Sequence, residues 1–161
     1  AWEGMEGATA QVAVNLIGAM HMIEPLLPAL RERRAGRIAL IASVAAYRGL
    51  PDAPGYAASK AGLRSYGEGL RAALAARGVA VTVVLPGFFD SAMGARWIGK
   101  RPLAIGLDAA AARTHRAILA GERRAAFPLP LAALLRVVDA LPAGLSDWAV
   151  RRLRFRIAPE A

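Results

Sequence analysis

The sequence predicts an α/β domain of three layers, a parallel sheet with helices on both faces, and three observations predict it. Two short apolar runs, Arg37-Ile-Ala-Leu-Ile-Ala-Ser43 and Val79-Ala-Val-Thr-Val-Val-Leu85, lack the alternation of a half-exposed strand and read as strands buried on both faces. A helical pattern precedes each of them, so strand, helix and strand follow in the order of a right-handed crossover unit. The 161 residues are 56% hydrophobic and 20% charged, which suits one compact domain with a real core and excludes disorder.

The first element runs from about Trp2 to Arg34, because Val12, Leu16, Ala19, Ile23, Leu26, Leu27 and Leu30 recur at helical steps. Pro25 and Pro28 are expected to bend or divide it near its end, and Gly36 to close it. The first strand leads into a Gly- and Pro-rich loop, VAAYRGLPDAPG, and then a helix from about Tyr56 to Arg77 stopped by Gly78. Pro86-Gly87 ends the second strand, and Phe88 to Leu107 mixes apolar, Gly and basic residues in the pattern of a flap. Asp108 is expected to cap a helix reaching Ala120, with a short third strand at Arg124 to Phe127. Helices at about Leu131 to Leu141 and Ser146 to Arg156 finish the chain, which divides into a sheet-bearing domain, 1–128, and a C-terminal helical extension, 129–161.

Three strands make an incomplete doubly wound sheet. In a Rossmann-type sheet the Gly-x-Gly-x-x-Gly turn that cradles phosphates follows the first strand of the first half. Here Gly4, Gly7 and Gly18 lie inside a helical pattern, so the chain reads as the second half of a Rossmann-like domain plus C-terminal helices. The absent half amounts to roughly a hundred residues, three βα units of about thirty each. The opening AWEGMEG lacks an initiator methionine, a basic region and an apolar core, so no signal peptide is expected and the chain reads as starting mid-protein. Gln11, Asn15 and His21 interrupt the longest uncharged stretch, and no membrane span is expected.

The chain holds no cysteine, which excludes disulfide and thiolate sites and fits a reducing, cytoplasmic setting. Its net charge of +9 is carried almost wholly by arginine, without the aromatic interleaving of a nucleic-acid surface, so no nucleic-acid partner is expected. His21 and His115 have no partner at metal or triad spacing, and Glu24, Asp90 and Asp108 form no carboxylate pair, so no metal is expected.

Tyr56 and Lys60, four apart at the start of a helix, share one face and can converge on one small molecule. A cation beside a phenol favours the phenolate and draws it toward general acid/base work, although such pairs are also common in helices without a role. Ser43 ends a strand, where ligands of open α/β sheets sit, and its hydroxyl can hold a substrate oxygen or satisfy the loop backbone.

Ile38-Ala-Leu-Ile-Ala-Ser43, Tyr56-Ala-Ala-Ser-Lys60-Ala-Gly-Leu, Val81-Thr-Val-Val-Leu-Pro86-Gly87 and Asn15 in Val-Asn-Leu-Ile-Gly, taken together and in this order, resemble the classical short-chain dehydrogenase/reductase family over about residues 2–127. The resemblance implies an NAD(P)-dependent oxidoreductase interconverting an alcohol and a carbonyl, with NAD or NADP as cofactor. Tyr56 would move the proton, Ser43 would hold the substrate oxygen, and Lys60 would bind the nicotinamide ribose and lower the Tyr56 pKa. Asn15 would hold a water linking Lys60 to solvent. Pro86, Gly87, Phe89 and Ser91 would line the nicotinamide, Ser91 standing where a threonine is usual. Homo-oligomers through the long helices are also implied. The residue that separates NAD from NADP follows the second strand of the absent half.

Phe88, Phe89, Met93, Trp97 and Ile98 suggest an apolar small-molecule substrate. A non-catalytic Rossmann-like binding protein is the alternative, against which the intact Asn15, Ser43, Tyr56 and Lys60 set argues. The tail from Leu129 to Ile157, with Arg136, Arg151, Arg152, Arg154 and Arg156, reads as helices packing on the domain in preference to peripheral membrane contact.

Overall fold

The structure, a computed structural model, describes residues 4–90, 97–99, 101–152 and 155–157. Helix α1 (Gly4–Arg33) is continuous but irregular, with a π-turn over Ala13–Gly18 and a 3₁₀ turn over Glu24–Leu26. Pro25 has no N–H to donate, and the helix tightens there instead of breaking. Arg34, at φ 50, terminates α1, the role expected of Gly36. Gly36 instead opens the first strand, where a Cβ would stand 2.5 Å from Leu30 Cδ2. Contrary to expectation, α1 is by length and composition able to cross a membrane, an 18-residue stretch of it having a mean hydropathy of 1.3, because Gln11, Asn15 and His21 interrupt it without fixed charge. Its packing against the second helix nevertheless makes it a wall of this domain.

The described strands are β1 (Gly36–Ile41), β2 (Val79–Pro86), β3 (Trp97–Gly99), β4 (Arg124–Phe127) and β5 (Phe155–Ile157). As expected, β1, β2 and β4 form a parallel sheet, in the order β1-β2-β4. Helix α2 (Pro54–Leu74) continues into a 3₁₀ turn at Ala75–Arg77 and stops at Gly78, whose φ of 67 and approach to the Arg34 carbonyl leave no room for a Cβ. On one face of the sheet Val79, Val81, Val83 and Leu85 of β2 pack with Leu63, Leu70 and Leu74 of α2. On the other face Val84 packs with Ala110 and Ala117 of α3 (Leu107–Ala120). These are the three predicted layers, and β2 is buried on both sides as its unbroken apolar run requires.

β1 departs from expectation. Ile38 and Leu40 are buried, while Arg37, Ala39 and Ile41 are exposed, because β1 is the edge of the described sheet and the apolar side of α3 packs on β2 and β4. The cap at α3 is also corrected: Gly106 occupies the N-cap without a side-chain bond, and Asp108 lies in the first turn, where its charge favours the helix dipole.

Every helix-to-strand connection of the sheet carries arginine. Arg34 donates to the Ala76 carbonyl at 3.2 Å, Arg37 to Ile118 at 2.9 Å and Arg71 to Arg123 at 3.2 Å. The first two place guanidinium charge on the carbonyl-rich ends of α2 and α3.

The last two helices, α4 (Leu129–Ala140) and α5 (Ala143–Arg152), begin two to three residues before their expected starts, and α5 ends before Arg156. An antiparallel ribbon of β3 and β5, invisible to periodicity at three residues each, follows. Leu131 and Leu135 of α4 enter the main core, and an Arg48–Asp147 ion pair ties α5 to the loop after β1.

Candidate active site

Ser43, Tyr56 and Lys60 meet at the carboxyl end of the sheet. Ser43 follows β1 in extended conformation, and its hydroxyl accepts the Ala45 N–H at 3.1 Å, capping the 3₁₀ turn Val44–Ala46. The same hydroxyl donates to the Pro86 carbonyl at the end of β2, at 3.4 Å, and is close enough to the Tyr56 phenol to act on its pKa. Ser43 therefore serves the loop backbone and faces the phenol at once.

Tyr56 lies in the first turn of α2, which Pro54 can begin because the first helical N–H groups need no partner. Its ring packs with Ala45, Leu50, Ala53 and Ala57. Burial raises the phenol pKa, and the Ser43 hydrogen bond opposes that rise. The expected lowering by Lys60 is thus not the dominant influence. Lys60 Nζ stands 5.8 Å from the Tyr56 ring centre and donates to the Ile41 carbonyl at 3.0 Å, and burial lowers its own pKa.

Asn15 reaches the same helix from α1. Its Nδ2 donates to Gln11 Oε1 at 2.7 Å and to Ser59 Oγ at 3.2 Å, while the fully buried Ser59 donates to the Tyr56 carbonyl at 2.8 Å. Sequence reasoning missed Gln11 and Ser59. The signal for Gln11 was its place one helical turn before Asn15.

Pro86 closes β2, and the Gly87 N–H donates to the Phe127 carbonyl at 2.7 Å. A Cβ at Gly87 would stand 2.9 Å from Leu131 Cδ2, so glycine here admits α4. Phe89 bridges to Ile105 and packs beside Val84, apart from the Ser43 and Tyr56 group in the core. Ser91 and Met93 lie outside the described residues.

The arrangement can pass a proton between a buried phenol and an oxygen held by Ser43, with an ammonium one helical turn away. The short chain dehydrogenase family model matches residues 4–101. An uncharacterised oxidoreductase of Myxococcus xanthus (strain DK1622) is 35% identical over 153 residues, 95% of this chain and 59% of the relative. One of Mycobacterium tuberculosis (strain CDC 1551 / Oshkosh) is 39% identical over 142 residues, 85% of this chain and 54% of the relative. The 3-oxoacyl-[acyl-carrier-protein] reductase FabG of Haemophilus influenzae (strain ATCC 51907 / DSM 11121 / KW20 / Rd) is 38% identical over 79 residues, 49% of this chain and 33% of the relative. Among solved structures, a short chain dehydrogenase from Burkholderia cenocepacia J2315 in complex with NADP matches with a TM-score of 0.76 and 28% identity, over 93% of this chain and 62% of that one. A short-chain dehydrogenase from Sphingobium yanoikuyae in complex with NADPH shares the fold, with a TM-score of 0.71 and 20% identity over 94% of this chain and 59% of the other. The chain thus spans little more than half the length of its first relatives, 59% and 54%. With the family model over most of its sheet and these motifs in place, the chain belongs to the short-chain dehydrogenase family.

Proposed function

We propose that this chain carries the catalytic half of an NAD(P)-dependent oxidoreductase that interconverts an alcohol and a carbonyl on an apolar small molecule. The observation that carries the reading is the meeting of three groups at the carboxyl end of β1: Lys60 Nζ donates to the Ile41 carbonyl and stands 5.8 Å from the Tyr56 ring centre, and the Ser43 hydroxyl, just past the strand, acts on the Tyr56 phenol. The Haemophilus reductase, whose name denotes a carbonyl substrate, supports the reaction class, and the NADP complex of the Burkholderia relative supports the cofactor.

The residues present fit the nicotinamide end of such a cofactor. One Lys60 N–H goes to the Ile41 carbonyl, which leaves two for the ribose hydroxyls, and half-exposed Gly87 presents bare backbone nearby. The phosphates find no Gly-rich cradle among this chain's residues. A bound nicotinamide supplies or accepts the hydride.

In carbonyl reduction Tyr56 Oη gives its proton to the substrate oxygen, which Ser43 Oγ holds by a hydrogen bond. Lys60 stabilises the phenolate left behind, and Asn15 keeps a water through which the proton is replaced. In alcohol oxidation the same groups act in reverse. Burial of Tyr56 keeps the phenol protonated and ready to donate.

Tyr56→Phe in the full-length protein is the test, assayed with NADH and NADPH on a panel of aliphatic, aromatic and 3-oxoacyl thioester ketones. The expected result is turnover reduced by at least about 10³-fold with nucleotide binding, read by fluorescence, intact. Retained turnover sinks the acid/base role of Tyr56.

A further inference from the structure

We propose that Gln11 is a positioning residue that, with Ser59, sets the orientation of the Asn15 amide and locks α1 onto the catalytic turn of α2. The inference rests on the proton-relay reading above and adds two residues to it.

Counting protons gives the network a direction. The Tyr56 carbonyl can only accept, so the Ser59 hydroxyl spends its single proton there, at 2.8 Å. Ser59 Oγ must then accept from its other neighbour, which is Asn15 Nδ2 at 3.2 Å. The second Asn15 amide hydrogen goes to Gln11 Oε1 at 2.7 Å. A flipped Asn15 would set its Oδ1 against a Ser59 oxygen that has no proton left to give. Ser59 is fully buried, so water cannot relieve that clash.

The backbone builds the junction to this end. Asn15 lies in the π-turn Ala13–Gly18, a wide turn of the kind that recurs at functional sites. Leu16, beside it, seats on Gly62 of α2, where a Cβ would stand 2.7 Å from Leu16 Cδ2. This approach lets a short asparagine reach Ser59, between Tyr56 and Lys60 on α2. Gln11, one helical turn before Asn15 and half-buried, closes the chain from the outside.

The full-length protein with NADPH or NADH and the best ketone of the panel tests this. Gln11→Leu keeps the bulk and removes the acceptor, whereas Gln11→Glu keeps an acceptor oxygen. Gln11→Leu is expected to lower kcat about tenfold, leave the nucleotide KM within about twofold and displace the pH limb governed by Tyr56. Gln11→Glu is expected to restore both kcat and the limb. The double variant Gln11→Leu with Ser59→Ala should be no slower than Ser59→Ala alone, because both cut one chain. Wild-type kcat and pH limb in Gln11→Leu, equal damage in Gln11→Glu, or additive losses in the double variant would each overturn the proposal. Should Ser59→Ala fail to fold, the Gln11 pair decides alone. Tyr56→Phe in parallel separates the two failures: turnover surviving it sinks the relay, whereas a dead Tyr56→Phe beside an unaffected Gln11→Leu sinks only the positioning role.

Discussion

At Tyr56 two influences oppose each other, burial raising the pKa of the phenol and the Ser43 hydroxyl lowering it, and burial is the larger. Removing the hydroxyl leaves burial unopposed. Ser43→Ala is therefore expected to move the Tyr56 limb of the kcat/KM profile to higher pH and to lower kcat about 10²-fold or more, as pH-dependent steady-state kinetics will show. An unmoved limb would mean that the Ser43 bond has no hold on the phenol. The convergence of Ser43, Tyr56 and Lys60 was legible in the sequence because strand end and helix start are local features. The partnership of Asn15 with Ser59 was not, since it depends on how closely α1 approaches α2, a distance set by Leu16 against Gly62.

Helices and strands were legible where hydrophobic period and stop signals agreed, as in α2 with Gly78 and β2 with Pro86-Gly87. They were misread where the surroundings decide. The apolar run of β1 reads like that of β2, yet β1 buries alternate residues because the described helices pack apolar side chains on only one of its faces. The π-turn in α1 leaves no mark in the apolar spacing, and the β3–β5 ribbon is too short to show a period. Close packing of α2 on the sheet yields a sharp prediction at Gly67, where a Cβ would stand 2.7 Å from Val83 Cγ2 and 3.1 Å from Leu40 Cδ1. Both neighbours are buried and branched, with no space to retreat. Gly67→Ala should cost about 1–3 kcal/mol in urea unfolding even though alanine is the better helix former. Exposed Gly69, with nothing within 4 Å, supplies the control, and alanine there should be neutral or stabilising by up to about 1 kcal/mol.

Across the whole molecule the charge is uneven. The three helix-to-strand connections, 31–37, 68–78 and 113–124, hold ten arginines against three glutamates in a chain of net charge +9. Because β1, β2 and β4 are parallel, these arginines gather at the end of the sheet opposite Ser43 and Tyr56. Guanidinium keeps its charge to above pH 12, so arginine contributes little to the alkaline response of the fold. Tyr66 contributes more: burial first, and its bond to Glu24 second, push its phenol up to about 12 from 10.0. A raised folded pKa favours the neutral phenol, so this stabilisation is complete below pH 10 and is lost as pH climbs toward about 12. Chemical denaturation between those limits should show the loss, and Tyr66→Phe should flatten it. The scarcity of ε-amines has a practical side. All but two of the 21 basic side chains are arginine, the exceptions being Lys60 and Lys100. Burial shifts Lys60 toward the free amine, the form that attacks acylating reagents. A brief exposure to an N-hydroxysuccinimide ester at neutral pH thus labels very few positions, and the rate at Lys60, followed by peptide mass spectrometry, becomes a meter of occupancy in which any bound molecule that engages the ammonium slows the reaction.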